Sequence, residues 1–178
     1  MYAIQDFCPI FTDKCLNMPA TKNKLDRAIT SVIRQHGNAP RLFSVTVKSY
    51  DEFLSNKRAI ITVIRGGMPY RLFDAIRNSS PYSEGDWSAF LDISAKSLQR
   101  YKQSASSFKP SQSEKIIEIA EVTKKGVETF GDVSRFKLWL ETPNFALGNV
   151  KPLELLKDSY GKEMVISELV RIDHGLLA

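Results

Sequence analysis

The stretch WLETPNFALGNVKPLELLKDSYGKEMVISELVRIDHGLLA, residues 139–178, places turn-forming and small residues at fixed offsets between apolar runs. Pro143 cannot continue a helix that carries Trp139 and Leu140, so the chain must turn there. Asn144 is short and polar, and it can cap the turn that follows. This order of residues predicts a helix that ends in a capped turn.

Two further helices are predicted after this turn. Residues 147–149, Leu-Gly-Asn, combine an apolar side chain with two residues that tolerate a positive φ. Pro152 suits the first position of a helix, and Asp158 can cap the last helix. At Gly161, in the first turn of that helix, the missing side chain permits a neighbouring segment to approach closely.

The last helix has an unusually wide apolar face. Val165, Leu169 and Ile172 repeat along one side, and Ile166 and Val170 widen it. A small surface helix rarely needs such a width. The pattern therefore indicates either a deep core or an interface with another protein.

Residues 84–103 have the layout of a helix-turn-helix. Ser83 and Asp86 form a capping-box pattern at the start of the first helix. Asp92 lies in the turn, which requires a left-handed residue, and Ser94 can cap the second helix. The alternative is a plain helical hairpin with a solvated basic face.

The second helix of this motif has an inner and an outer face. Ile93, Leu98 and Tyr101 are spaced to point into the core. The remaining side chains are suited to the major groove, because Arg and Gln can contact bases while Lys and Ser hold phosphates. The candidate DNA-binding residues are Ser94, Lys96, Gln99, Arg100, Lys102 and Gln103.

The rest of the chain is also mainly helical by pattern. Helices are predicted at 22–36, 56–65, 69–77 and 111–130, the last ending at Gly131. The β-branched run at 60–64 leaves a strand as the alternative there, and residues 42–47 have strand-like composition. Ser111 with Glu114 gives another capping-box pattern. We expect an N-terminal extension of undetermined structure (1–50), a helix-turn-helix domain (51–115) and a helical C-terminal domain (116–178).

Composition limits the functional classes. The 178 residues are 43% hydrophobic, which is ordinary for a globular protein. No apolar run is long enough for a membrane span, and no signal-peptide pattern opens the chain. Cys8 and Cys15 are expected to be reduced thiols. We therefore expect a cytoplasmic location without membrane contact. Residues 1–110 carry 16 basic and 9 acidic side chains, whereas residues 111–178 carry 9 and 11. This asymmetry indicates two different partners, of which the first is polyanionic.

Nothing in the sequence predicts an enzyme. Asp173 and His174 beside Arg171 are the one local acid–base candidate, and they lie near the chain end, where geometry is loose. No phosphate loop, nucleophile elbow or metal-binding pattern is found. We therefore expect no catalytic residue, no metal and no cofactor.

A series of residues in the stretch 139–178 follows a fixed order: Trp139-Leu140, Thr142-Pro143-Asn144, Ala146-Leu147-Gly148, Pro152-Leu153-Glu154-Leu155-Leu156, Gly161, Val165, Leu169, Arg171-Ile172 and His174-Gly175. This order resembles the toxin-binding domain of Xre-type antitoxins, the partners of RES-domain toxins. With the helix-turn-helix, the resemblance covers roughly residues 66–178. It departs at Gly148-Asn149, where the family often has Gly-Gly, and at Asp158, where the family often has Thr.

This resemblance implies a type II antitoxin that binds and occludes a RES toxin, which degrades NAD, and that represses its own operon through operator DNA. A homodimer or a larger toxin–antitoxin assembly is expected. The implied toxin-binding residues are Asn144, Leu147, Gly161, Val165, Leu169, Arg171, Ile172, His174 and Gly175. The alternative is a stand-alone helix-turn-helix transcription factor with a C-terminal dimerisation domain.

Overall fold

Most of the segments with helical patterns form α-helices in the computed structural model, which describes residues 19–36 and 46–176. The helices are α1 Pro19–His36, α2 Tyr50–Ser55, α3 Lys57–Gly66, α4 Tyr70–Asn78, α5 Glu84–Phe90, α6 Ala95–Ser104, α7 Pro110–Phe130, α8 Val133–Glu141, α9 Pro152–Leu155 and α10 Ser159–Asp173. A 3₁₀ turn, Phe145–Leu147, lies between α8 and α9. No β-strand forms within these residues, so the predicted mainly helical fold is confirmed.

The β-branched run at 60–64 is part of helix α3 and not a strand. The side chain of Asn56 accepts hydrogen bonds from the backbone N–H groups of Arg58 and Ala59, at 3.1 and 3.2 Å. Ile60 and Val63 are buried while Ile61 is 40% exposed, which is the spacing of a helix. Capping and burial together outweigh the strand propensity of the run.

Helix α1 confirms the helix predicted at 22–36. Leu25, Ile29, Val32 and Ile33 are buried, and the helix packs against α3 and α4. The structure describes only part of the segment predicted to be extended, 42–47. Residues 42–45 are not among the described residues, and Thr46 and Val47 form no strand.

The predicted capping box of Ser111 and Glu114 is wrong, because both residues lie inside α7 and are exposed. The helix begins at Pro110, which needs no N–H partner at the first helical position. The Lys109 backbone N–H donates to Gln112 at 3.2 Å. Ser113 is fully buried, and its hydroxyl accepts a 2.8 Å hydrogen bond from the Met68 backbone N–H.

Helix α7 is buried on two sides. It packs against α3 on one side and against α8 and α10 on another. Adjacent residues are buried in pairs along it, so the buried arc is wider than the apolar stripe of a surface helix. The buried residues are Ser113, Ile116, Ile117, Ile119, Ala120, Val122, Thr123 and Gly126.

Two close contacts in the C-terminal half exclude any side chain larger than that of glycine. A Cβ at Gly126 of α7 would overlap the ring of Phe136 in α8. A Cβ at Gly161 of α10 would overlap the Leu155 carbonyl group, which confirms the close approach predicted there. The predicted cap at Asp158 is only partly right, because its backbone occupies the cap position but its side chain makes no capping hydrogen bond.

No helix in the described ranges combines the length and the apolar character that a membrane crossing requires.

The overlap at position 161 predicts a large loss of stability for Gly161→Ala. The added methyl group must displace backbone atoms of Leu155, so the free energy of unfolding should fall by about 3 kcal/mol in urea denaturation. Gly85→Ala is the matched control, since a Cβ there would meet only the Ser83 hydroxyl at 3.6 Å. That variant should gain up to about 1 kcal/mol from the helix preference of Ala. Equal stabilities for the two variants would contradict the close packing of α9 on α10.

Candidate nucleic-acid interface and protein-docking surface

The helix-turn-helix predicted at 84–103 is present as α5 and α6. Ser83 and Asp86 form the predicted capping box, in which the Ser83 N–H donates to Asp86 Oδ2 at 2.8 Å and the Asp86 N–H to Ser83 Oγ at 3.1 Å. Asp92 has a φ of 49°, the left-handed conformation that the turn requires. Ser94 Oγ accepts the Ser97 N–H at 3.1 Å, so α6 is capped as predicted.

Aromatic side chains hold the motif on the rest of the domain. Trp87 of α5 is fully buried and contacts Phe73 of α4 edge-on at 5.1 Å. Tyr82, just before α5, accepts a 3.4 Å hydrogen bond from Thr123 of α7. Burial raises the pKa of the Tyr82 phenol, so the side chain remains neutral in this contact.

The inner face of α6 matches the prediction. Leu98 is buried, and Ile93 and Tyr101 are partly buried against the core. The Tyr101 ring stacks on Phe108 with ring centroids 4.4 Å apart, and its hydroxyl donates to Gln112 of α7 at 3.2 Å. These contacts fix the rotation of α6 about its axis and thereby determine which side chains face solvent.

The predicted DNA-binding residues lie together on the solvent side of α6. All six are exposed: Ser94, Lys96, Gln99, Arg100, Lys102 and Gln103. Except for Lys102, they line a shallow depression of about 320 Å³. Within the described ranges, the cations Lys96, Arg100 and Lys102 make no ion pair, so they are available to phosphates or base edges.

The sequence reasoning missed Ser97, which also lines this depression. Its hydroxyl lies 2.9 Å from Ser94 Oγ. The residue lies three positions after Ser94 and three before Arg100, and this helical spacing could have identified it.

The C-terminal turn forms as predicted. Asn144 Oδ1 accepts the Ala146 N–H at 2.8 Å, and Leu147 is buried beneath the 3₁₀ turn. Gly148 and Asn149 then have φ values of 77° and 60°. Asn144 is thus partly occupied in holding its own turn.

Four of the nine implied toxin-binding residues are buried in this chain. Leu147, Gly161, Val165 and Leu169 are buried, because they form the contacts of α10 and the turn with the rest of the domain. These four residues therefore offer little surface to a docked protein, and their role in toxin binding stays a prediction. Arg171, His174 and Gly175 are exposed, while Asn144 and Ile172 are half-buried.

Large apolar side chains that the sequence reasoning missed are exposed in the same region. The largest exposures are Phe145 at 86%, Tyr160 at 84%, Leu138 at 68% and Leu176 at 60%. Met164 and Val170, both on α10, are also exposed. Tyr160 and Met164 are four residues apart and share one stripe of the helix, a spacing that could have been detected in the sequence.

The end of α10 is held by charge and by backbone hydrogen bonds. Lys125 of α7 donates to Asp173 at 2.7 Å, and this hydrogen bond and the lysine charge lower the pKa of the Asp173 carboxyl group. The Leu176 N–H donates to the Arg171 carbonyl at 2.9 Å, so the chain turns back around Gly175. The Asp173 carboxylate, which precedes His174 in the chain, is therefore paired with Lys125. Residues 177–178 lie outside the description.

Comparison with known proteins identifies two domains. The family model for the antitoxin Xre-like helix-turn-helix domain matches residues 59–121, and that for the antitoxin Xre/MbcA/ParS C-terminal toxin-binding domain matches residues 125–175. The chain is 27% identical over 117 residues to Antitoxin Xre of Photorhabdus laumondii, covering 65% of this chain and 79% of that protein. It is 26% identical over 125 residues to Antitoxin Xre of Yersinia enterocolitica, covering 70% and 84%.

The two matched domains follow one another in the order in which the structure places the α5–α6 motif and the α8–α10 helices. The chain belongs to the Xre-type antitoxin family, with a DNA-binding helix-turn-helix domain and a toxin-binding domain in one polypeptide.

Proposed function

We propose that this antitoxin neutralises a RES-type, NAD-degrading toxin and that it represses its own operon by binding operator DNA through α6. It does so without catalysing a reaction itself. The observation that carries the toxin half of the proposal is the exposure of Phe145 and Tyr160, at 86% and 84%, inside the matched toxin-binding domain. The RES identity of the toxin comes from the resemblance of residues 139–175 to antitoxins of RES toxins.

The docking surface consists of apolar side chains outside the core. Phe145 lies on the 3₁₀ turn, Tyr160 and Met164 lie on α10, and these two elements pack against each other. Exposed aromatic side chains are typical of the centre of a protein–protein interface, where burying them supplies most of the binding energy. The buried residues Gly161, Val165 and Leu169 hold this surface in place and do not touch the toxin.

The tail after Asp173 acts separately from this surface. His174 and Leu176 are exposed beyond the point where Lys125 holds α10, so they can enter a cleft while the helix stays in place. We assign them to occlusion of the toxin's NAD site. The surface around Phe145 and Tyr160 provides affinity.

On the DNA side, α6 enters the major groove. Arg100 and Gln99 contact base edges, and Lys96 and Ser94 contact phosphates. Two copies of the chain bind the two halves of a palindromic operator, because a two-fold site requires a two-fold protein assembly.

The first prediction concerns toxin affinity. Phe145→Ala combined with Tyr160→Ala should weaken binding of the purified RES toxin by about 30-fold or more, since truncating interface anchors costs about 2 kcal/mol or more. Titration calorimetry measures this change. Ile61→Ala is the control, because Ile61 is also an exposed apolar residue but lies on α3, outside the toxin-binding domain. An equal affinity of both variants would contradict the assigned docking surface.

The second prediction separates occlusion from binding. A chain that ends at Asp173 keeps Leu169, Ile172 and the ion pair of Lys125 with Asp173, so α10 should remain folded. We expect this truncated antitoxin to form a stable complex with the toxin while NAD hydrolysis returns, as measured by residual NAD in a mixture of the two proteins. Full inhibition by the truncated chain would show that the tail does not block the active site. Failure of any RES toxin to bind the full chain would favour the stand-alone transcription factor.

The third prediction concerns DNA. Arg100→Ala should weaken binding to the operator by about 1–3 kcal/mol if the side chain reads a guanine. Lys96→Ala should instead reduce the slope of log affinity against log salt by about 0.9, the value for one lost phosphate contact. Gel-shift or anisotropy titrations at several salt concentrations measure both effects. Lys157→Ala, an exposed cation in the toxin-binding domain, is the control. Wild-type behaviour of both α6 variants would mean that α6 does not enter the groove.

A further inference from the structure

A polar groove runs along α1, outside both matched domains. It has a volume of about 500 Å³ and is lined by Asn23, Asp26, Arg27, Thr30, Ser31, Arg34 and Lys48. Every residue of the lining is polar or charged. The buried side chains of α1, such as Ile29 and Val32, belong to the opposite face, which packs on α3 and α4.

The groove lining carries three cations and one carboxylate, a formal net charge of +2. Arg27, Arg34 and Lys48 are exposed and make no ion pair with any residue in 19–36 or 46–176. Asp26, the acidic residue of the lining, is engaged internally, because its Oδ1 accepts the Tyr50 backbone N–H at 2.7 Å. The groove therefore presents three free cations to a ligand.

Several lysines of α7 and α10 are arranged differently. Lys115, Lys124, Lys125 and Lys162 each lie within ion-pair distance of a carboxylate of this chain. Lys151 and Lys157, by contrast, are exposed and make no ion pair within the described residues, so they offer a matched control for the groove cations. The free cations of α1 resemble the unpaired Lys96 and Arg100 of α6 in this respect.

We propose that the α1 groove binds phosphate groups of the DNA backbone, as a second contact beside the base-reading helix α6. Arg, Lys, Ser and Asn side chains are those that hold phosphates, and the lining has no aromatic or aliphatic side chain that could fill an apolar pocket of a protein partner. Arg27 and Arg34 are seven residues apart, which on a helix is about 10.5 Å, the rise of about three base pairs.

Packing contacts connect α1 to the helix-turn-helix through α4. Helix α1 packs on α4, and α4 also supports α5 through the contact between Phe73 and Trp87. The groove would add affinity without sequence preference, because phosphate contacts carry no base information. This inference rests on the proposed binding of operator DNA, but it can be tested separately from it.

The test compares two variants of the full chain that each lose two positive charges. Arg27→Ala with Arg34→Ala removes the groove cations, and Lys151→Ala with Lys157→Ala removes two exposed cations of the toxin-binding half. Affinity is measured against salt concentration for an operator duplex and for an unrelated duplex of equal length. The groove variant should lower the salt slope by about 1–2 units on both duplexes and leave the ratio of the two affinities unchanged. The control variant should keep the wild-type slope.

A charge-conserving variant and a phosphate titration complete the test. Arg27→Lys with Arg34→Lys should keep the wild-type slope, which separates loss of charge from loss of fold. A groove variant with the same slope as the control would overturn the inference. So would a changed ratio of affinities, since it would mean base readout. If calorimetry shows that inorganic phosphate binds to the wild-type chain but not to the groove variant, and DNA affinity is unaffected, the groove is a free-anion site and the DNA contact is refuted.

The outcomes also distinguish this inference from the proposed repressor function. If Arg100→Ala is silent but the groove variant still lowers the slope on both duplexes, operator reading by α6 fails while the phosphate groove stands. If Arg100→Ala weakens operator binding and the groove variant matches its control, the reverse holds. A wild-type chain that binds neither duplex would refute both.

Discussion

The fold depends on burying helix α7 from both sides. Ile116, Ile119 and Val122 are fully buried because one long helix is shared by the α3–α6 region and by α8 and α10. A helix packed on one side would leave part of this surface in water, at a cost of about 25 cal/mol for each Å² of apolar area. The helix-turn-helix and the toxin-binding helices therefore stabilise each other through α7. The matched domains meet within this helix, at residues 121 and 125.

This sharing explains why core and contact residues separate so sharply in the C-terminal half. Helix α10 must lie close enough to α7 and α9 to cover them, so Gly161 has no side chain and Val165 and Leu169 are enclosed. Phe145 and Tyr160 are the most exposed of the large apolar side chains that lie outside that packing. These exposed aromatic side chains contribute little to the packing of the monomer, and they are the side chains on which the proposed docking surface rests.

Local signals in the sequence predicted local structure well. The caps at Ser83, Ser94 and Asn144 and the left-handed turn at Asp92 all depend on neighbours within a few residues, so the pattern contains the needed information. The helix predicted at 111–130 forms as α7, but its predicted capping box is wrong, because Lys109 occupies the cap position and Ser111 lies inside the helix. The burial of Ser113 depends on Met68, 45 positions away, and could not be read from local spacing. Likewise, an apolar helical stripe cannot show which of its residues face a distant helix. Val165 and Leu169 were therefore assigned to the partner, while the exposure of Phe145 and Tyr160 was overlooked.

The separation of charge along the chain has a structural counterpart that composition alone could not give. On α7 and α10, Lys125 is paired with Asp173 of the same matched domain, and Lys162 is paired with Glu118 of the helix-turn-helix domain, which lowers the local field there. On α1 and α6, Arg27, Arg34 and Arg100 have no acidic partner within the described residues. A polyanion is drawn toward unpaired charge, whereas a protein partner binds an apolar surface whose surrounding charges are already satisfied. The surfaces proposed for DNA and for the toxin thus rely on different physical forces, and along the sequence they lie before and after the middle of α7.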